Sequence, residues 1–112
     1  MPLMEEKIYR QLVDEAFQTI DAAFEDVDPD VAESMYAQGT LTIVFAGGRR
    51  FILSPQTPVR QIWVAFKDRA WHLDRDLASG RWIDDRGQGI ELYGLVESVT
   101  RDAAGIEVKV GR

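Results

Sequence analysis

The sequence predicts an α+β fold: a two-layer α-β sandwich in which an antiparallel meander sheet carries an N-terminal and a C-terminal helix on one face. Apolar residues recur at three- and four-residue steps near both ends of the chain, which is typical of amphipathic helices. Between these segments apolar residues alternate with polar ones, and Gly or Pro residues separate the alternating runs. A chain of 112 residues can bury one core, so we expect residues 1–112 to form a single domain.

The first helix is predicted from about Met4 to Val27. Its apolar stripe consists of Tyr9, Leu12, Val13, Ala16, Phe17, Ile20, Phe24 and Val27. Pro29 is expected to stop the helix, because proline cannot continue the backbone hydrogen bonding.

The strands follow as a meander. From Leu41 to Phe45 the period is two, and Gly47-Gly48 supplies the positive φ angles of a tight hairpin turn into a strand at Arg49–Leu53. Further strands are predicted at Gln61–Phe66, about Trp71–Arg75 and about Arg81–Asp84, with turns between Pro55 and Pro58 and around Ser79-Gly80.

The helical period returns near the end of the chain. It predicts a second helix from about Gln88 to Arg101, carried by Leu92, Leu95, Val96 and Val99, with Gly105 closing it. Beyond this glycine, Ile106, Val108 and Val110 alternate, which indicates either a terminal strand or a packed tail.

Composition excludes several classes of protein. The longest wholly apolar run, Ile62 to Phe66, has five residues, so no membrane span is expected. Residues 1–10 lack the apolar core of a signal peptide and include Glu5 and Glu6, which favours a cytoplasmic protein. The absence of Cys and the single His exclude disulfides, thiolate metal sites and most imidazole sites, so any metal would be held mainly by oxygen.

Charge is unevenly distributed along the chain. Residues 1–36 hold ten acidic and two basic residues, a net charge of −8, whereas residues 37–112 hold nine acidic and eleven basic residues, a net of +2. A strongly acidic segment attracts cations and basic protein surfaces and repels phosphate backbones. Nucleic acid is therefore not expected as a partner.

Several acidic residues are expected to share one edge of the domain. At 100° per residue, Asp14, Asp21, Glu25 and Asp28 fall within an arc of about 60° beside the apolar stripe. Asp26, Asp30 and Glu33 extend this acidity towards the first strand. Carboxylates suit hard cations such as Fe, Mn, Mg or Ca, but an ordinary solvated helix face would show the same pattern.

Trp63 is predicted to lie on the open face of the sheet. Alternation places it opposite Ile62, Val64 and Phe66, and therefore away from the core. With Arg60, Gln61, His72 and Arg75 expected nearby, it is either an anchor for a protein partner or a lone exposed aromatic residue. Trp71 and Trp82 are interpreted as structural, in the core or in cross-strand pairs.

Catalysis has little support in the sequence. None of the four Ser residues occurs in a nucleophile-elbow motif, and an open sheet seldom offers the cleft that acid–base chemistry needs.

Three motifs resemble those of the frataxin family. The first is the stretch Gln56-Thr57-Pro58-Val59-Arg60-Gln61-Ile62-Trp63-Val64-Ala65, and the others are His72-Leu73-Asp74 and Arg81-Trp82-Ile83-Asp84-Asp85-Arg86-Gly87. An acidic first helix followed by a meander and a second helix matches the layout of that family over nearly all 112 residues.

This resemblance implies the frataxin α-β sandwich and a cytoplasmic bacterial protein. It also implies weak binding of iron, Fe²⁺ or Fe³⁺, on an acidic ridge, together with docking to the cysteine desulfurase and scaffold proteins of iron–sulfur cluster assembly. The ridge carries over to Asp21, Glu25, Asp26, Asp28, Asp30 and Glu33, and the partner surface to Gln61 and Trp63. We expect a monomer that iron can drive into oligomers.

The sequence and this resemblance are consistent with three hypotheses about function. The first is a binding module that donates iron to cluster assembly or regulates it. The second is an iron oxidase that stores Fe(III) on the same ridge, which oxygen uptake proportional to added Fe(II) would reveal. The third is an acidic interaction domain with no physiological metal, whose partner binding would be indifferent to iron.

Overall fold

The fold is a six-stranded antiparallel sheet with one helix before it and one after it. The computed structural model describes residues 3–112. In chain order the elements are α1 (Glu6–Ala22), β1 (Ala32–Ala37), β2 (Thr40–Phe45), β3 (Arg50–Gln56), a 3₁₀ turn (Thr57–Val59), β4 (Gln61–Phe66), β5 (Arg69–Asp76), β6 (Arg81–Asp84) and α2 (Leu92–Ala104). Each strand pairs with the next, in the order β1-β2-β3-β4-β5-β6, which confirms the predicted meander and α+β class.

The core lies between the sheet and the two helices. Alternate strand positions are fully buried, as in Leu41, Ile43 and Phe45 of β2, and they meet the apolar stripes of α1 and α2. The rings of Phe45 and Phe51 each make an edge contact with Phe66, at centroid distances of 5.8 and 5.9 Å, and such pairs stabilise a core by about 0.5–1.5 kcal/mol beyond area burial. Trp71 and Trp82 belong to this core, as predicted.

The first helix ends five residues earlier than predicted. After Ala22 the backbone tightens into turns in which Ala23 N–H donates to Ile20 O and Phe24 N–H donates to Asp21 O. These turns still bury Phe24, so the apolar pattern continues although the helix does not. Because Glu25 and Asp28 lie beyond the helix, the helical arc predicted for them is wrong.

The second helix begins four residues later than predicted because Glu91 caps it. Its carboxylate accepts hydrogen bonds from the N–H groups of Tyr93 and Gly94, at 2.7 and 3.1 Å. The helix ends at Ala104, where Gly105 adopts a left-handed conformation with φ 68°, as predicted.

The C-terminal residues form a packed tail and no strand. Val108 and Val110 are buried, and Val110 N–H donates to the buried Glu97 carboxylate at 2.9 Å. The other carboxylate oxygen of Glu97 accepts a bond from Arg112, also at 2.9 Å. The Glu97 side chain therefore holds the tail to α2 through two hydrogen bonds.

No helix within residues 3–112 combines the length and the apolar character that crossing a bilayer requires.

Candidate functional site

Trp63 lies on the open face of the sheet, the side opposite the helices. In β4 the buried residues are Ile62, Val64 and Phe66, whereas 36% of the Trp63 surface is exposed. Pairing of β4 with β5 places Trp63 directly opposite His72, and the two rings stack with centroids 4.2 Å apart and planes inclined by 13°. The predicted register of this strand is confirmed.

Hydrogen bonds hold the Trp63 ring in place. Its Nε1–H donates to Gln61 Oε1 at 2.8 Å, and the Gln61 amide donates to both Asp74 Oδ1 and Asp85 Oδ2 at 3.1 Å. His72 Nδ1 lies 3.9 Å from the same Asp85 oxygen. These five residues, Gln61, Trp63, His72, Asp74 and Asp85, are called the Trp63 cluster below.

The Asp84 carboxylate organises the loop that presents Asp85. It accepts hydrogen bonds from the N–H groups of Arg86 and Gln88 at 3.1 Å and of Ile90 at 2.7 Å. Desolvation raises the pKa of Asp84, but these amide bonds outweigh it and hold the pKa below the ordinary value of 3.8. The Asp85 N–H itself donates to His72 O at 2.9 Å, so this bond and the loop held by Asp84 together keep Asp85 beside Gln61 and His72.

Two other residues expected on the open face have their contacts elsewhere. The Arg60 guanidinium donates to the backbone oxygens of Met4, at 2.8 Å, and Thr57, and it lies 5.9 Å from the centre of the Tyr9 ring. These contacts tie the 3₁₀ turn to the start of α1, so a partner-binding role for Arg60 stays a prediction. The prediction that Arg75 lies on the open face is wrong. Its guanidinium carbon lies 5.7 Å from the centre of the buried Trp82 ring, on the helix side of the sheet.

The predicted metal-binding carboxylates follow one edge of the domain. Asp21 lies in the last turn of α1, Glu33 lies in β1, and the loop between these elements carries Glu25, Asp26, Asp28 and Asp30. These six residues are called the acidic edge below. Three of them, Asp21, Glu25 and Glu33, line one open groove at the junction of α1 and β1.

The acidic edge offers oxygen ligands without a preformed cage. Within residues 3–112, no three acidic or His side chains are positioned to hold one metal ion together. One of the carboxylates, Asp28, accepts a bond from Asp30 N–H at 2.9 Å, which shapes the loop. Exposed carboxylates of this kind match the hard-ligand preference of iron and of similar divalent cations.

Two side-chain hydrogen bonds join α1 to β1 beside the acidic edge. Ser34 Oγ–H donates to Asp21 Oδ1, and the Tyr36 hydroxyl donates to Asp14 Oδ1, both at 2.6 Å. Burial, and then the bond to the Asp14 carboxylate, raises the pKa of Tyr36 to about 12. Asp14 and Asp21 therefore each have a structural partner on β1.

Sequence reasoning missed Asp74 and Asp85 as members of the Trp63 cluster. The available signal was the strand register, because pairing Trp63 with His72 also pairs Gln61 with Asp74. Asp85 follows β6, and its position depends on its N–H bond to His72 O and on the loop that Asp84 holds.

The comparisons with known proteins agree on one family. The model of the Frataxin-like domain matches residues 2–106. The chain is 40% identical over 106 residues to an iron-sulfur cluster assembly protein CyaY of Pseudomonas aeruginosa, covering 95% of this chain and 96% of the relative. It is 38% identical over 101 residues to the CyaY protein of Azotobacter vinelandii, covering 90% of each.

A solved structure agrees with these relatives. Frataxin from Psychromonas ingrahamii superimposes with a TM-score of 0.85 at 25% sequence identity, covering 95% of this chain and 97% of that one. The same order of helices and strands, an open sheet face and matching sequence over almost the whole chain lead to one conclusion. The chain belongs to the frataxin family.

Proposed function

We propose that this protein acts in iron–sulfur cluster assembly in the bacterial cytoplasm, as an iron donor or a regulator that docks onto the cysteine desulfurase and its scaffold partner. Its relatives of 38–40% identity are named iron-sulfur cluster assembly proteins, and the alignments span at least 90% of the chain. One structural observation carries the docking part of the proposal. The Trp63 ring is exposed on an open sheet face and is already fixed by His72 and Gln61.

A fixed aromatic ring is suited to protein recognition. Its rotamer is held by a stack and a hydrogen bond before the partner arrives, so little conformational entropy is lost on binding. Aromatic residues are enriched among the anchors that carry most of the binding energy of interfaces. The cluster also offers the Asp74 and Asp85 carboxylates to a polar or basic rim on the partner.

Iron is the proposed cargo of the acidic edge. The groove lined by Asp21, Glu25 and Glu33 is open to solvent and supplies only oxygen ligands. Ligands of this type, without a cage, bind weakly and discriminate poorly among Fe, Mn and Co. Weak binding suits a protein that must pass its ion to another site.

The iron part is tested by adding Fe(II) under anaerobic conditions, or Mn(II) as a surrogate, to isotopically labelled protein. The first amide signals to shift or broaden should be those of residues 21–33. Signals centred on His72 would contradict the assignment. Oxygen uptake proportional to added Fe(II) would favour the iron-oxidase alternative, because a carrier does not itself need to oxidise its cargo.

The docking part is tested by titrating labelled protein with purified cysteine desulfurase, with and without Fe(II). We expect binding that involves Trp63 and an iron-dependent change in the rate of cluster formation. Binding and cluster formation that are both indifferent to iron would instead support the acidic interaction domain with no physiological metal.

A further inference from the structure

A cavity lies where β5 extends beyond the end of β6. Strand β5 has eight residues and β6 has four, so β6 covers the β5 edge only from Leu73 to Asp76. Within residues 3–112, no strand pairs with that side of residues 69–72. The loop after β6 borders this space and leaves a cavity of about 490 Å³, a size that accommodates a small molecule.

The hairpin geometry determines which backbone groups face the cavity. A two-residue turn joins β4 to β5, and the pair Phe66 and Arg69 closes it. Such a closing pair is hydrogen-bonded, and hydrogen-bonded pairs alternate along the ladder, so Ala70 and His72 direct their N–H and C=O groups away from β4. The bond from Asp85 N–H to His72 O agrees with this assignment. Ala70 therefore presents both its N–H and its C=O to the cavity.

Two guanidinium groups line the cavity, those of Arg69 and Arg86. Within residues 3–112, neither group forms an ion pair with a carboxylate. The guanidinium carbon of Arg69 lies 4.6 Å from the centre of the Trp71 ring, which limits its motion. The cavity thus has positive charge that is available to a ligand.

Three carboxylates also line the cavity, and they differ in how far they are occupied. Asp84 is buried, and its carboxylate already accepts three amide bonds. Asp68 is exposed. Asp85 contacts Gln61 and His72 through one oxygen, Oδ2. Asp68 and Asp85 therefore supply negative charge beside the two guanidinium groups, and a ligand with both signs of charge matches this lining better than a simple anion or cation does.

The charges follow an order along the β5 edge. In an extended strand, the N–H of a residue lies towards the preceding residue and the C=O towards the following one. The Ala70 N–H is thus at the Arg69 end of the cavity. The Ala70 C=O is at the other end, towards His72 and the Asp85 that bonds it. A ligand carboxylate fits the first end, and a ligand ammonium fits the second.

We propose that this cavity binds a free α-amino acid, whose carboxylate accepts a bond from Ala70 N–H and whose ammonium donates to Ala70 O. Opposed residues of a hydrogen-bonded antiparallel pair exchange these same two bonds. One amino acid is therefore the full complement of Ala70. An extended peptide is a poorer occupant, because Asp85 already bonds the next outward carbonyl, that of His72, and the turn ends the edge on the other side.

The pairing also predicts stereochemical preference. Directly opposed side chains share a face of a sheet, and Ala70 lies with its β4 partner Ala65 on the open face. The side chain of an L-amino acid would lie on that face beside Ala70. In the D-enantiomer the side chain and the hydrogen on Cα are exchanged, so the same two bonds turn the side chain off this face.

The test adds L-alanine at millimolar concentrations to isotopically labelled whole protein. We expect a saturable shift of the Ala70 amide signal, and about tenfold weaker binding of D-alanine. A shift that does not saturate, or equal affinity for the two enantiomers, would overturn the proposal. The result does not depend on iron or on the desulfurase, so failure of either docking or iron binding leaves this inference standing, and its own failure leaves the proposed function intact.

Ligands that lack one or both charges test the pairing of signs. Acetate has only the carboxylate, methylammonium has only the ammonium, and N-acetyl-L-alanine N-methylamide keeps the backbone groups without charge. Each should bind at least about tenfold more weakly than L-alanine, because charge-assisted hydrogen bonds are the stronger ones. Equal binding of acetate would reduce the cavity to an anion site, and equal binding of the neutral amide would make it a peptide site; either result contradicts the proposal.

Three variants with the same change in net charge test the guanidinium groups. Arg69→Gln and Arg86→Gln should each weaken L-alanine binding about tenfold, whereas Arg81→Gln, at the far end of β6, should leave it unchanged. Arg69 packs on Trp71, so thermal melting checks that this variant is folded. Arg86 bonds the loop through its backbone N–H, which glutamine keeps, so this variant retains the fold. Equal affinities in all three variants would show that the cavity has no specific cationic group.

Discussion

The Trp63 cluster and the acidic edge are both exposed, yet they are built in different ways. In the cluster, a ring stack, three hydrogen bonds and a 3.9 Å contact between His72 and Asp85 connect five side chains from β4, β5 and the loop after β6. At the acidic edge most of the carboxylates lie on the loop between α1 and β1. Asp21, Glu25 and Glu33 line one open groove. The first region is suited to recognise shape, and the second is suited to attract charge.

This difference has an energetic basis. Exposed charges act over roughly 8–10 Å at moderate ionic strength and are screened by salt, so they raise association rates more than final affinity. A partly buried aromatic anchor contributes affinity through contact area and is insensitive to salt. Salt dependence therefore distinguishes these two modes of binding.

The largest expected effect is that of Trp63→Ala on partner affinity. Loss of a central aromatic anchor should cost about 2 kcal/mol, a roughly thirty-fold rise in the Kd for the desulfurase. The melting temperature should change little, because the ring lies outside the core. Calorimetric titration and thermal melting measure both quantities, and a collapse of stability with unchanged affinity would contradict the assignment.

Charge reversal at the acidic edge should have a smaller effect that depends on salt. For Glu25→Lys combined with Glu33→Lys, we expect about tenfold weaker docking at low ionic strength and a much smaller loss at high salt. The matched control is Asp102→Lys combined with Glu107→Lys, an equal change in charge at two exposed positions elsewhere. Equal losses for both pairs would show that net charge alone matters.

Asp84→Ala should weaken docking by a few-fold although Asp84 itself is buried. Removal of this carboxylate frees the loop amides of Arg86, Gln88 and Ile90, so among the backbone bonds only that from Asp85 N–H to His72 O still holds Asp85 beside His72. Because the folded-state pKa of Asp84 is lowered, its stabilisation is present above pH 3.8 and is lost as the pH falls through the folded-state pKa.

Urea unfolding at neutral pH and at about pH 3 measures this contribution. Asp84→Asn should be less stable than the parent at neutral pH, and the difference should shrink in acid. A constant difference at both pH values would show that the charge of Asp84 contributes nothing to the loop.

The smallest expected effect is on alkaline stability through Tyr36. Its folded-state pKa of about 12 lies above the ordinary 10.0, so the associated stabilisation is complete below pH 10 and is lost as the pH rises towards 12. Tyr36→Phe should make stability less dependent on pH in this range. Asp14→Asn should move the tyrosinate absorbance titration to lower pH, and an unchanged titration would mean that the bond to Asp14 has no influence.

Much of the fold could be predicted because it depends on local periodicity. Alternation in Gln61–Phe66 identified the buried and exposed sides of β4, and Gly47-Gly48 identified the hairpin between β2 and β3. The end of α1 was predicted less accurately, because the apolar pattern continues beyond the last helical residue. Phe24 continues the apolar pattern of α1 although the backbone has left the helix, because a turn can bury the same side chain.

The candidate site was predicted only in part. The sequence identified Trp63 as exposed with Gln61 and His72 nearby, and it grouped the acidic residues on one edge. The resemblance to frataxins assigned iron binding to six of those residues and partner binding to Gln61 and Trp63. Neither identified Asp85, whose position beside Gln61 and His72 depends on its own backbone bond to His72 O and on a loop closed by Asp84. The sequence pattern also grouped Glu25 and Asp28 with Asp21 on one helix, although the helix ends at Ala22.

The sequence by itself determined the class of fold, the exposed Trp63 and the concentration of negative charge in residues 1–36, since periodicity and composition are properties of neighbouring residues. The tertiary structure decided which of these residues meet. Stacking of Trp63 on His72 depends on the pairing of β4 with β5, and convergence of Asp21, Glu25 and Glu33 depends on the packing of α1 beside β1. Such contacts form only when the strands pair in the correct register. The sequence of one strand determines which of its side chains share a face, but not which residues of other elements lie beside them.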